Sequence, residues 1–295
     1  MRELVANSEE AQEEGCAEQE SSEDEEARVN GMAARQMPSY PFQPDFELEF
    51  DGSRIEVATH LCRGHPRETR AVAIFFPGVH GGVGPCRQPG SHFDEAALYA
   101  TVARRLTESE SACVDCYRCS WPHMRPRMNY AIGGACRVLH HGLLQAVGRE
   151  EAGRSPSAGG REIRIIFLGH SLGGAVAVHS AKTVAGYLGS HSGTFQGLEQ
   201  AVVRMAGLCT LNGAMDVSQF EGQSDALADL SSCKALLVSG DADEVVNPEA
   251  TSSLFEALPG RDKRHLELPG GTHDLFGHKD LLVEELTQFI LDCCA

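Results

Sequence analysis

From Phe46 onward, apolar and polar positions follow two periods that take turns along the chain. Phe46, Leu48 and Phe50 alternate with acidic residues, the period of two that marks a strand covered on one face. Asp51-Gly52 then predicts a hairpin turn into a second strand over 54–61. Ala71 to Phe76 is apolar without a break, so the strand over 70–76 needs cover on both faces and belongs in the middle of a sheet. Leu98, Val102 and Leu106 recur at helical spacing behind a capping box at Ser91 and Asp94. A fourth strand over 113–119 and a helix over 129–147 follow, and 148–160, rich in Gly, Ser, Pro and Arg, reads as a surface loop. Later strands fall at 202–211, 234–239 and 264–268. Around them lie one short helix, a helix begun by Asn247-Pro248 and stopped by Pro259-Gly260, and an amphipathic closing helix over 279–291.

Between these halves stands Glu162 to Ser180, a β-branched apolar strand followed at once by Gly169-His170-Ser171-Leu172-Gly173-Gly174 and a helix of small apolar residues. No loop separates strand from helix, so Ser171 sits on a sharp turn with its hydroxyl clear of the sheet. Gly169 and Gly173 flank it because backbone approaches backbone there. The same turn aims the Leu172 amide at a reacting carbonyl, and the helix start adds positive potential for a developing oxyanion.

Strands alternating with helices after an opening hairpin specify an α/β fold, a mostly parallel sheet with helices on both faces. Ligands of such sheets bind beyond the carboxyl ends of the strands. Two further turns lie there. Asp243 follows the seventh strand in Gly240-Asp241-Ala242-Asp243, and His273 follows the eighth in Gly270-Gly271-Thr272-His273. A serine hydroxyl is a poor nucleophile unless a base takes its proton and a carboxylate orients that base, and these residues appear in the order Ser, Asp, His. Asp241, in the same turn, and Asp216, after the sixth strand, stay open as alternative acids. His170, His265 and His278 read as structural.

The three turns resemble those of the α/β-hydrolase fold serine hydrolases, over essentially 46–291. The Gly-His-Ser-Leu-Gly-Gly, Gly-x-x-Asp-x-x-Val and Gly-x-x-His-Asp-Leu-Phe patterns are most similar to monoacylglycerol-lipase, serine-aminopeptidase and dienelactone-hydrolase relatives. The resemblance implies an eight-stranded sheet, Ser171 as nucleophile, Asp243 as acid and His273 as base. It implies a second oxyanion amide after the Pro77-Gly78 turn, at Val79, with His80 as the neighbouring choice. The expected activity is hydrolysis of carboxylic esters through an acyl-enzyme, without metal or cofactor. Thioesters, lactones, peptides and acyl transfer would use the same parts, and a non-catalytic binding protein on this fold is the alternative from another class. Many members insert a helical cap after the sixth strand, whereas 212–233 has room only for a short segment, so a shallow, open pocket is expected.

Composition adds three constraints. Residues 1–28 hold eleven acidic and two basic side chains, about −9 of the formal −17, and almost no large apolar residue. Such a segment cannot offset its ordering entropy by burial, so 1–37 reads as a disordered acidic tail ahead of one domain over 38–295. The remainder is mildly acidic with no basic stripe, which disfavours nucleic-acid binding and leaves a small acyl compound as the expected partner. No secretory signal, transit peptide or apolar run of about 18 residues is evident, so a soluble cytoplasmic protein is expected. Eleven cysteines include Cys113, Cys116 and Cys119 at metal-ligand spacing. On a strand that spacing sends consecutive thiols to opposite faces, so buried reduced thiols are the better reading.

Overall fold

The computed structural model describes residues 44–50, 53–62, 70–79, 83, 95–121, 128–151, 161–190, 198, 201–213, 227–275 and 277–295. The acidic tail, residues 38–43, the Asp51-Gly52 turn, the Ser91 and Asp94 cap, His80 and Asp216 lie outside them, as does most of the segment expected in place of a cap.

One sheet holds β1 (Phe46–Phe50), β2 (Ser53–His60), β3 (Arg70–Phe76), β4 (Cys113–Ser120), β5 (Arg161–His170), β6 (Ala201–Leu211), β7 (Lys234–Gly240) and β8 (Lys263–Leu268). Its order is β1-β2-β4-β3-β5-β6-β7-β8. The two contacts of β2 are antiparallel and every other pairing is parallel. Phe50 pairs with Ser53, the spacing of a two-residue turn. The unbroken apolar strand β3 lies between β4 and β5, as its lack of a polar face requires.

Among the described residues five helices cover this sheet: α1 (Glu95–Glu108), α2 (Met128–Glu151), α3 (Leu172–Ser190), α4 (Pro248–Ala257) and α5 (Lys279–Cys294). Alternation along each strand divides the interior into two cores. Val72, Ile74 and Phe76 join residues of α2, α3 and α4, whereas Ala71, Ala73 and Phe75 join residues of α1 and α5. Each large side chain among them contributes roughly 1.5–3 kcal/mol by full burial.

Two local features differ from or refine the sequence pattern. Helix α2 runs through Gly148 to Glu151, beyond the boundary expected at 147. A side chain at Gly148 would meet open space, so no contact requires the helix to stop there, and one glycine costs only about 1 kcal/mol. Within β4, Cys116 faces the α1 and α5 core while Cys119 faces the opposite core. Consecutive members of the cysteine run therefore diverge. Burial pushes the Cys113 thiol up to about 12 and the Cys116 thiol well above its ordinary value.

Arg118, buried in β4, donates from Nε to Nε2 of His60 at 3.1 Å, so that nitrogen carries a lone pair. Burial first, then the Arg118 charge, lowers the His60 pKa to about 4 against an opposing pull from Asp45. The unfolded chain takes up this proton near 6.5, so the stability His60 contributes is complete above about 6.5 and is lost as pH falls toward 4. Melting temperature is expected to decline through that window in the wild type. His60→Gln, which can still accept from Arg118, should flatten that part of the curve, as a pH series of thermal melts would show.

Candidate active site

The turn from β5 into α3 is built from close backbone contacts. A Cβ on Gly169 would lie 1.9 Å from the Gly173 carbonyl oxygen, and one on Gly173 would lie 2.3 Å from the Phe76 oxygen. Neither neighbour can move without shifting main chain, so Gly169→Ala should destabilise by at least the ~1–3 kcal/mol typical of overpacking. A chemical-denaturation midpoint unchanged by this substitution would contradict the contact. Ser171 itself has φ 52°, rare for a residue with a side chain. That conformation is held by its N–H on the Leu211 carbonyl at 2.9 Å and by its own carbonyl accepting from Gly174 N–H at 2.9 Å.

The turns after β7 and β8 meet this serine. Ser171 Oγ is 3.0 Å from Nε2 of His273, and Nδ1 of the same ring is 2.9 Å from Oδ2 of Asp243. With the serine hydroxyl donating to Nε2, Nδ1 must carry the proton and donate to the carboxylate. The other oxygen of Asp243 accepts from the Val245 and Val246 amides at 2.8 and 2.9 Å. The Asp243 side chain is buried, while the His273 ring keeps a partly open face. Asp241 points elsewhere, accepting from Gly270 N–H at 2.6 Å. His265 lies in β8 with Nε2 2.8 Å from Ser239 Oγ, and His278 stands just before the first residue of α5 without a capping bond from its side chain.

Leu172 is the first residue of α3, where an amide has no acceptor within the helix. Pro77 to Val79 runs beside Ser171: a Cβ on Gly78 would lie 3.4 Å from the serine Cβ. The carbonyls leading into this segment lie against Gly173 of the serine turn, and each is also held by an aromatic tip, Phe76 O accepting from Tyr99 Oη and Pro77 O from Trp121 Nε1, both at 3.2 Å. Neither aromatic residue stands out in sequence, because each acts through a polar tip on a buried ring.

Two more side chains escape sequence reasoning. His170, buried beside the serine, places Nε2 2.9 Å from the His273 carbonyl oxygen, where it can only donate. Asn212, after β6, reaches the same carbonyl. The pair Asn212-Gly213 is a signal for left-handed backbone, and Asn212 does have φ 43°. Nothing local, however, reveals what its side chain touches.

A search of solved structures finds chains of the same architecture. Est1E from Butyrivibrio proteoclasticus, with ferulic acid bound, has a TM-score of 0.53 at 15% identity, covering 84% of this chain and 98% of that one. A soluble variant of monoglyceride lipase from Saccharomyces cerevisiae, in complex with a substrate analog, has a TM-score of 0.51 at 10% identity, covering 87% of this chain and 99% of that one. A protein of unknown function from Agrobacterium tumefaciens, described as a candidate alpha/beta hydrolase, reaches 0.53 at 13% identity over 84% of this chain and 94% of that one. The chain has the α/β-hydrolase fold. No family model matches its sequence, and no curated protein matches it. In this α/β-hydrolase fold, Ser171, Asp243 and His273 stand just beyond the carboxyl ends of β5, β7 and β8. Among the described residues, no helix is long and apolar enough to cross a membrane.

Proposed function

We propose that the protein is a serine hydrolase that cleaves carboxylic esters of small molecules through an acyl-enzyme. The observation that carries this reading is the continuous hydrogen-bonded line from Ser171 Oγ through His273 to Asp243, with steps of 3.0 and 2.9 Å. A hydroxyl so placed loses its proton to Nε2 as Oγ bonds to the ester carbonyl carbon. The carbonyl oxygen takes the negative charge, which the amides of Leu172 and Val79 stabilise. The imidazolium then gives its proton to the departing alkoxide, which leaves as the alcohol. Water repeats the sequence on the acyl-enzyme, releasing the acid and restoring Ser171. Asp243 keeps Nδ1 protonated and balances the transient imidazolium charge.

Two of the structural neighbours, one with ferulic acid bound and one a monoglyceride lipase, support acyl compounds as the first substrates to try. A fluorophosphonate probe tests the reading directly. Its phosphorus should bond to Ser171 Oγ with loss of fluoride, and peptide mass mapping should find the added group on that residue alone. Absence of labelling, together with no turnover of a panel of nitrophenyl esters, would overturn it.

A further inference from the structure

Groups from the ends of β7 and β8 converge on one side chain at the end of β6, that of Asn212. Its Nδ2 donates to the carbonyls of Thr272 and His273, both at 2.9 Å, and its Oδ1 accepts from the Gly240 amide at 2.8 Å. Both carboxamide protons and the carbonyl oxygen are thereby used, and the side chain is buried. Its own N–H is fixed on the Val238 carbonyl at 2.8 Å. The φ of 43° that aims the side chain this way is one that Asn tolerates better than most residues.

Gly240 opens the turn that carries Asp243, while Thr272 and His273 form the turn that carries the imidazole. The carboxamide therefore joins these two turns. The His273 carbonyl accepts a second bond, from His170 Nε2 at 2.9 Å, and this ties the same turn to the serine elbow. The Thr272 carbonyl likewise accepts a second bond, from Leu275 N–H at 2.9 Å. Two successive peptide carbonyls are thus doubly held. Rotation of either peptide plane would swing the imidazole away from Ser171 and Asp243 together.

We propose that Asn212 and His170 are positioning residues that hold the His273 ring in register between Ser171 and Asp243, an inference that rests on the serine-hydrolase reading above. Neither touches the reacting atoms. Their effect belongs in the chemical step, because a displacement of about 1 Å can cost ~10²-fold in rate.

The test compares Asn212→Gly, which suits the left-handed backbone but deletes the carboxamide, with His170→Phe, which keeps a ring but removes the donor. In Asn212→Gly, kcat for an ester and the limiting rate of fluorophosphonate inactivation are expected to fall ~10²-fold with KM changed by no more than about threefold. His170→Phe, losing one of the two bonds on the His273 carbonyl, should fall by about 10-fold. Proton NMR supplies a readout independent of turnover: the downfield resonance of the His273 Nδ1–H bonded to Asp243 should weaken or shift in both. A folded Asn212→Gly protein with rates within about twofold of wild type and an unchanged resonance would overturn the proposal. Should that variant fail to fold, the same result in His170→Phe overturns it. Should the wild type neither label nor turn over esters, the hydrolase reading falls, and the resonance alone decides: its loss in Asn212→Gly supports the positioning role and its persistence refutes it.

Discussion

Replacing Ser171 by alanine is expected to abolish fluorophosphonate labelling and to lower ester turnover by roughly 10³-fold or more while leaving the protein folded. The chemical half follows from the loss of the hydroxyl oxygen placed 3.0 Å from His273 Nε2, the atom that would be acylated. The folding half follows from the backbone. Alanine meets the same steric situation at φ 52°, and the bonds from Ser171 N–H to Leu211 and from Gly174 to the Ser171 carbonyl involve main chain only. What disappears is one partly buried hydrogen bond, a net contribution of about 1 kcal/mol, or some 2–4 °C in a chain of this size. Thermal melts run beside the labelling assay separate the two halves. Labelling that survives the substitution would remove Ser171 as the nucleophile.

Fold and site were legible in sequence to different depths, for physical reasons. The strand β3 declared its central place because six consecutive apolar residues leave no face for water. The turn at Ser171 declared itself because its geometry is local: Gly169 and Gly173 lie within two residues of the serine, and a Cβ on either would come within 1.9 or 2.3 Å of a backbone oxygen. The helix boundary after Val147 was misplaced because Gly148 looks like a stop in sequence, whereas its surroundings leave the helix free to continue. The clamp on His273 was hidden altogether. Asn212 touches residues 28, 60 and 61 positions away, and no periodicity along the chain encodes a contact between the ends of three different strands. His170 could be placed beneath the elbow from its sequence position, but its bond to a carbonyl 103 residues away could not. Tyr99 and Trp121 were hidden in the same way, since a buried aromatic ring reads as core whatever its polar tip contacts.

The second large effect is expected at Asp243, and it also decides among the acids that the sequence left open. In Asp243→Asn, the side-chain oxygen can still accept from the Val245 and Val246 amides, so the shape of the turn survives. The amide nitrogen then faces Nδ1 of His273 across the present 2.9 Å contact. Because that nitrogen can only donate, the imidazole must offer a lone pair at Nδ1 and carry its proton on Nε2, toward Ser171. A ring in that tautomer cannot take the serine proton. Turnover should fall by about 10³–10⁴-fold with far less change in KM. Asp241→Asn is the control: its oxygen can still accept from Gly270 N–H, and it makes no contact with the imidazole, so turnover should stay within roughly a few-fold of wild type. Steady-state kinetics on the two variants, with Asp216→Asn as a third, distinguish the candidates. A crippled Asp216→Asn beside a nearly normal Asp243→Asn would move the acid to the end of β6, leaving the Asp243 carboxylate a turn-forming group that only happens to meet the histidine.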